Sequence, residues 1–272
     1  MKVSVIIPTY KPGSYIEECF DSLLKQNCSL DLFEVVVILN GEKEPYYNNI
    51  ENYLLKSGLY YKLIYTDKKG VSNARNVGIN YSQNKAEYII FLDDDDKLSY
   101  SFISDCIAKA NPHNVLIGNC KTFIDNDENG HEYEYGDDYI TKCFEKNKNK
   151  EYNIFRYRSF FSTVCAKMIP LKIIGLTRFD TRYKLGEDAL FCFSISKDID
   201  KCVLVENDSI YYRRIREGSA SRSKLSKYFL FKNYSGLVIS YSQIYFRDVR
   251  KYNFLFYVSR VVATMIHFFR RM

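Results

Sequence analysis

The sequence has no Cys-x-x-Cys pair and only three histidines, scattered at positions 113, 131 and 267. No zinc centre can be assembled from them. The eight cysteines sit mostly inside apolar runs such as Phe191-Cys192-Phe193, and they read as small buried hydrophobes of a reducing compartment. There is no Gly-x-Gly-x-x-Gly, and Thr9-Tyr10-Lys11-Pro12-Gly13 is not a glycine-rich phosphate loop. A dinucleotide dehydrogenase and a sugar-nucleotide pyrophosphorylase are thereby excluded. The apolar run Val3 to Pro8 is too short for a signal peptide, and no uncharged stretch reaches the roughly 18 residues that span a bilayer. Nothing marks the chain for export.

What remains is a globular composition: 272 residues, 46% hydrophobic and 26% charged, enough for one large domain with an appendage and a core that needs no staple. The net charge of +6 is unevenly spread, because from residue 222 onward ten Lys or Arg face the single acid Asp248. The tail therefore carries +9 and residues 1–221 carry −3. Such a tail suits an anionic surface or a solvated helix face equally.

Val3 to Ile7 is a compact β-branched run that suits a fully buried strand of a parallel sheet, and Phe33 to Leu39, Leu59 to Tyr65 and Glu87 to Leu92 are further apolar runs read as strands. Ser14 and Glu17 have the form of a capping box, which predicts a helix from about Tyr15. Tyr46 to Lys56 reads as a second helix and Gly70 to Asn80 as a loop feeding a third. Alternating strands and helices argue for an α/β sheet, whose ligands bind at the carboxyl ends of the strands. Pro8 to Tyr10, Asn40 and the run Asp93-Asp94-Asp95-Asp96 occupy such ends. Residues 121–153, rich in Asp, Asn, Glu, Lys and Gly, read as a mobile loop or hairpin insertion over the site, Cys202 to Tyr212 as a last strand, and the chain after Ser223 as Tyr- and Phe-rich helices.

If the strand conformation continues through it, Asp93 and Asp95 point to one side and offer paired hard oxygens for Mg²⁺ or Mn²⁺ with substrate phosphates. A solvated acidic turn fits the charge run too. An EF-hand does not fit, since its glycine and glutamate are missing.

Five ordered segments carry more: Val3-Ser4-Val5-Ile6-Ile7-Pro8-Thr9-Tyr10, Gly70 to Ile79, Phe91-Leu92-Asp93-Asp94-Asp95-Asp96, Gly186-Glu187-Asp188, and Tyr212-Arg213-Arg214-Ile215-Arg216-Glu217-Gly218-Ser219. In order and spacing they resemble the family 2 glycosyltransferases, over residues 1 to about 221. The resemblance implies a GT-A fold, a Rossmann-like mostly parallel sheet flanked by helices, here with a helical C-terminal extension from 222 to 272. It implies a nucleotide-diphosphate sugar donor, usually a UDP-sugar, inversion at the anomeric carbon, and an acceptor glycan or lipid-linked sugar in surface-polysaccharide assembly. By that likeness Pro8, Thr9, Tyr10, Ser72, Arg75, Asp93, Asp94 and Ser219 would hold the nucleotide sugar, and Asp93 and Asp95 the Mn²⁺ or Mg²⁺. Asp188 would be the catalytic base and Glu187 an acceptor contact, although an acid in a helix's first turn is favoured by the macrodipole alone.

Two positions depart from the family pattern. Asn40 stands where an acid usually contacts the base, and an amide can both donate and accept. Arg216 stands where histidine is frequent, so direct pairing with the diphosphate replaces metal ligation there. Arg75 as a surface helix residue, and Arg213, Arg214 and Arg216 as solvated charges, are the plainer readings. The tail suits an interfacial amphipathic helix on anionic lipid or helices packed on the catalytic domain. The protein is expected in the cytoplasm, with contact at the inner face of the cell membrane under the first of these readings. A nucleic-acid partner is not expected, because it leaves the acidic strand ends unexplained. A non-catalytic nucleotide-sugar binder on the same fold is the alternative to an enzyme.

Overall fold

The four apolar runs form the middle and one flank of a seven-stranded sheet in a computed structural model that describes residues 2–125, 133–206, 208–216 and 225–272. The first half alternates as expected: β1 (Val3–Thr9), α1 (Tyr15–Leu24), β2 (Phe33–Asn40), α2 (Tyr46–Ser57), β3 (Tyr61–Thr66), α3 (Val71–Ser82) and β4 (Tyr88–Phe91). There follow β5 (Lys97–Leu98), α4 (Phe102–Ala108), β6 (Asn114–Ile117), β7 (Asn119–Asp125), β8 (Tyr133–Asp137) and α5 (Tyr139–Asn147). The chain continues through β9 (Lys167–Pro170), α6 (Leu171–Ile174), α7 (Glu187–Ile195), β10 (Lys201–Leu204) and β11 (Ile210–Arg214), then α8 (Lys227–Arg247) and α9 (Phe254–Arg271).

The large sheet has the order β10-β6-β9-β4-β1-β2-β3. Its pairs are parallel except for those β9 makes with β4 and β6. Every residue of β1 is buried, which is why Val3, Val5, Ile6 and Ile7 are branched aliphatics; each such side chain contributes about 1.5–3 kcal/mol by leaving water. A smaller sheet, β5-β11-β7-β8, stands beside it.

Two sequence expectations change. Cys202 to Tyr212 is not one strand: β10 extends the large sheet beside β6, and after a break β11 pairs with β7 and β5 in the small one. Ser14 is the N-cap of α1 but its side chain caps nothing, since its own backbone is already helical and the Glu17 N–H bonds the Ser14 carbonyl at 3.0 Å. The capping box is at α5 instead, where Asp138 and Thr141 each bond the other's backbone. Within 121–153 the described residues form a hairpin, β7 against β8, followed by α5.

Helix α3 lies directly on β1. A Cβ on Gly78 would stand 2.5 Å from the Ile6 side chain, so only glycine permits this approach, and it carries Arg75, one turn earlier, over the strand ends. The tail packs on the body through rings: Tyr241 and Tyr252 against Phe193 of α7, and Phe256 against Phe161.

Candidate active site

Because β4, β1 and β2 are neighbours, the residues that follow them share one edge. Thr9 donates its hydroxyl to the Asp94 carboxylate. Asn40 donates from Nδ2 to the Thr9 carbonyl at 2.7 Å and accepts at Oδ1 from the Gly70 N–H at 2.9 Å. Its buried amide thus ties the end of β1 to the start of α3. Pro8 is buried, Tyr10 is exposed on the rim, and the buried Ser72 hydroxyl has no hydrogen-bond partner among the described residues.

The acidic run leaves the strand and turns, with the Asp96 N–H on the Asp93 carbonyl at 3.1 Å. Turn geometry, not continued strand, therefore sorts the four carboxylates. Asp94 and Asp96 face inward, Asp96 accepting from the Tyr211 hydroxyl at 2.5 Å and the Arg214 N–H at 2.8 Å. Burial pushes the Asp94 carboxyl up to about 7, against the pull of the Thr9 hydrogen bond. Burial, with Asp95 and Asp93 adding to it, raises Asp96 well above its ordinary range. Asp93 and Asp95 are only partly covered. Burial and the charge of Asp93 raise Asp95, and Arg216 opposes them by donating from Nε to Asp95 Oδ2 at 2.6 Å.

A solvated turn would not bury two of its four acids, and Arg75 is not a surface residue either. Its guanidinium is buried over the rings of Phe91 and Phe179, donating from Nη1 to Asp188 Oδ1 at 2.6 Å and from Nη2 to Asp93 Oδ1 at 2.8 Å. Burial works against that charge, but Asp188 and Asp93 outweigh it and the group stays a cation. One side chain thus joins the end of β4 to the first turn of α7, the two regions that the sequence singles out as metal or nucleotide ligand and as base. Of the arginines at the end of β11 and just beyond it, Arg213 pairs with Asp138, Arg214 with Glu18, and Arg216 also rests over the Tyr15 ring. Ser219 lies outside the described residues.

The other oxygen of Asp188 is held more loosely, by the Thr163 hydroxyl at 3.4 Å and the Val164 N–H at 3.3 Å. That turn is itself clamped. The buried Lys167 ammonium donates to the Thr163 carbonyl at 2.9 Å and the Cys165 carbonyl at 3.0 Å, and Ala166, just before Lys167, takes a left-handed φ of 57°, a conformation alanine adopts only at a cost. Burial lowers the Lys167 pKa. Glu187, half-buried beside Asp188, has its carboxyl pushed up to about 7, by burial first and then by the Asp188 charge.

Helix α8 fixes the approach to this pair. Asn233 accepts from the Lys184 N–H at 3.2 Å and donates to the Leu185 carbonyl at 2.9 Å. Gly186 sits at φ 79°, where any Cβ would meet Leu237 at 2.8 Å. Sequence reading missed Thr163, Lys167 and Asn233. The one available signal was a lone lysine inside the apolar stretch 164–169.

Among the described residues no three His, Cys, Asp or Glu side chains gather as a metal cluster; Asp93 and Asp95 are the two partly exposed carboxylates of the acidic turn. That donor set fits Mg²⁺ or Mn²⁺, hard ions that keep water and take further oxygens from phosphate. The mutual repulsion of the two carboxylates, answered here by Arg75 and Arg216, is what such an ion would relieve.

Residues 4–169 match the sequence profile of glycosyl transferase family 2. The chain belongs to that family. Like it, over 228 residues at 26% identity, is the Streptococcus pneumoniae glycosyltransferase GlyA, covering 81% of this chain and 32% of GlyA. The poly(ribitol-phosphate) beta-N-acetylglucosaminyltransferase TarS of Staphylococcus aureus is 27% identical over 227 residues, 80% of this chain and 36% of TarS. The chain thus spans about a third of each of these relatives. The crystal structure of S. aureus TarS 1–349 in complex with UDP-GlcNAc superposes with a TM-score of 0.69 at 24% identity, over 89% of this chain and 66% of that one. A mannosyltransferase from Pyrobaculum calidifontis, solved with GDP-Man and Mn²⁺, gives 0.63 at 14% identity over 98% of this chain and 69% of its own. The architecture is the GT-A fold expected of the family, with its C-terminal helices added. Among the described residues, no helix is long and apolar enough to cross a membrane.

Proposed function

We propose that the protein is an inverting glycosyltransferase. It would move a hexosyl or N-acetylhexosaminyl group from a nucleotide-diphosphate donor, a UDP-sugar, to an acceptor hydroxyl in surface-polysaccharide assembly, with a glycan or lipid-linked acceptor at the inner face of the cell membrane. The observation that carries this reading is the Arg75 bridge, which holds Asp93 and Asp188 within one guanidinium's reach at the carboxyl edge of the sheet. A nucleotide-sugar pocket needs both a place for diphosphate and a base across the sugar ring from it.

In this reading Pro8, Thr9, Tyr10 and Asn40 shape the nucleotide pocket, the unpartnered Ser72 hydroxyl is left for the donor, and Arg216 faces the diphosphate. Asp93 and Asp95 would hold Mn²⁺ or Mg²⁺, which when bound offsets charge building on the leaving diphosphate. The acceptor hydroxyl attacks the anomeric carbon from the face opposite the diphosphate. Its oxygen forms the new bond as the carbon–phosphate-oxygen bond breaks, the electron pair leaves with the nucleoside diphosphate, and the hydroxyl proton passes to Asp188. Oδ1 of Asp188 is held by Arg75, while Oδ2 makes only long contacts, so Oδ2 is the oxygen that takes the proton. Glu187, beside it, meets the acceptor.

Asp188→Asn keeps the shape and removes proton acceptance, a step worth ~10² to 10⁴ in rate. Titration calorimetry with donor and a steady-state transfer assay should give unchanged donor affinity and turnover lowered by at least ~10². Unchanged turnover with weakened donor binding would make Asp188 a binding group and send the search for the base elsewhere.

A further inference from the structure

Helices α8 and α9 form an antiparallel pair, Phe231 near Phe268 at one end and Tyr245 stacked on Tyr257 at the other, with ring centroids 6.3 and 4.4 Å apart. Their inner faces are used: Leu237 and Tyr241 of α8 and Phe256 of α9 are buried against the catalytic body. An ordinary surface helix would then turn polar residues outward. Here the outward row of α9, spaced by three and four, is Leu255, Val258, Val262, Ile266 and Phe269, all exposed, Phe269 to 74%. No charged residue interrupts it. The matching side of α8 adds Tyr228, Ile239 and Phe246, the last exposed to 68%, among the polar Lys232, Ser235 and Gln243. The helix pair thus exposes more large apolar side chains than scattered surface hydrophobics account for.

Charge frames this face at both ends. Arg247, Arg250 and Lys251 surround the turn between the helices, with Asp248 their only acid. At the opposite end Lys227 and Lys232 of α8 lie beside Arg270 and Arg271 of α9. A second copy of the chain is a poor occupant, because laying the face on itself, in either direction, brings a cationic end over a cationic end, and like charges across an interface oppose it. An anionic bilayer complements both features at once, taking the aliphatic and aromatic rows at the acyl boundary and the basic ends among lipid phosphates.

We infer that the outward face of α8 and α9 is a docking surface for anionic lipid, on which the helix pair lies flat while its inner face holds the catalytic body. The membrane contact in the functional reading thereby acquires a definite surface. Helix α8 would join the two, since Leu237 packs against Gly186 and Asn233 holds the backbone just before Glu187 and Asp188.

The test is cosedimentation of the full chain with vesicles of phosphatidylcholine alone or mixed with phosphatidylglycerol, read without donor or acceptor. The transferase reading and this one can therefore fail independently. Binding should require the anionic lipid, weaken as salt rises toward 1 M, and fall by about tenfold or more in two separate variants. One combines Val262→Ser, Ile266→Ser and Phe269→Ser; the other combines Arg250→Gln with Arg270→Gln. These side chains are at the surface or in its rim, and circular dichroism checks that both variants fold. Equal binding to neutral and anionic vesicles would overturn the electrostatic half of the inference. No binding to either, or a concentration-dependent dimer in sedimentation velocity that the serine variant abolishes, would overturn the whole.

Discussion

Replacing Arg75 by leucine should be costly in a way that identifies its role. The side chain is 4% exposed and its partners Asp93 and Asp188 are 35% and 18% exposed, so the substitution leaves two carboxylates close together with their shared cation gone. Removing one member of a buried ion pair costs ~3–5 kcal/mol, and the partial access of Asp93 to water places this case near the lower figure. At ~2–4 °C per kcal/mol for a chain of this size, melting should fall by roughly 10 °C. Asp188→Asn should cost less, because the amide oxygen still accepts from Nη1, and adding it to Arg75→Leu should recover part of the loss by removing one of the stranded charges. Thermal melts of the three variants and wild type measure this. A melting change under ~3 °C for Arg75→Leu, or no recovery on adding Asp188→Asn to it, would refute the view that Arg75 compensates both acids.

Glu187, its carboxyl pushed up to about 7 by burial and Asp188, should contribute stability that is full below about pH 4 and lost as pH rises through 7; urea melts of Glu187→Gln should show a flatter pH dependence over that range. Lys167→Met leaves two buried carbonyls without their donor and should cost ~2–4 kcal/mol in urea unfolding, with turnover falling while KM for donor stays, since the turn it clamps touches Asp188. Asn233→Ala, which frees the Lys184 and Leu185 backbone just before Glu187, should likewise lower turnover in a steady-state assay without weakening calorimetric donor binding. Chelation should abolish donor turnover and readdition of Mn²⁺ restore it, and Asp95→Ala should abolish it without lowering the melting temperature.

How legible this was in the sequence differed by element. The runs behind β1, β2 and β4 are almost wholly apolar, because central strands covered on both faces admit little else, and they were readable at once; β3, at the sheet edge, is partly exposed and turns Lys62 outward. The acidic edge was readable for the same reason, since four carboxylates at a strand end have few uses. What was lost depends on pairing across the chain. Nothing local shows that Arg75 reaches Asp188, 113 positions away, that Asn40 ties β1 to α3, or that Lys167 is hydrogen-bonded to carbonyls rather than paired with an acid. The Ser14 box failed because its cap residue is already helical, which composition cannot reveal. The split of 202–212 into two sheets follows from β7 offering β11 a partner. In the tail, charge and aromatics were visible from the start, but which face packs and which remains outside emerges only once Phe193 and Phe161 supply the inner partners.

Release of nucleoside diphosphate from a panel of UDP- and GDP-sugars, measured with wild-type protein, with chelator, and with Asp188→Asn, tests the central claim most directly and needs no acceptor. At least one donor should be turned over slowly by the wild type with Mn²⁺ present, not in chelator, and at a rate lowered at least ~10² by Asp188→Asn. Tight binding of a nucleotide sugar with no release by any form of the protein would contradict the claim and leave a nucleotide-sugar binder in its place.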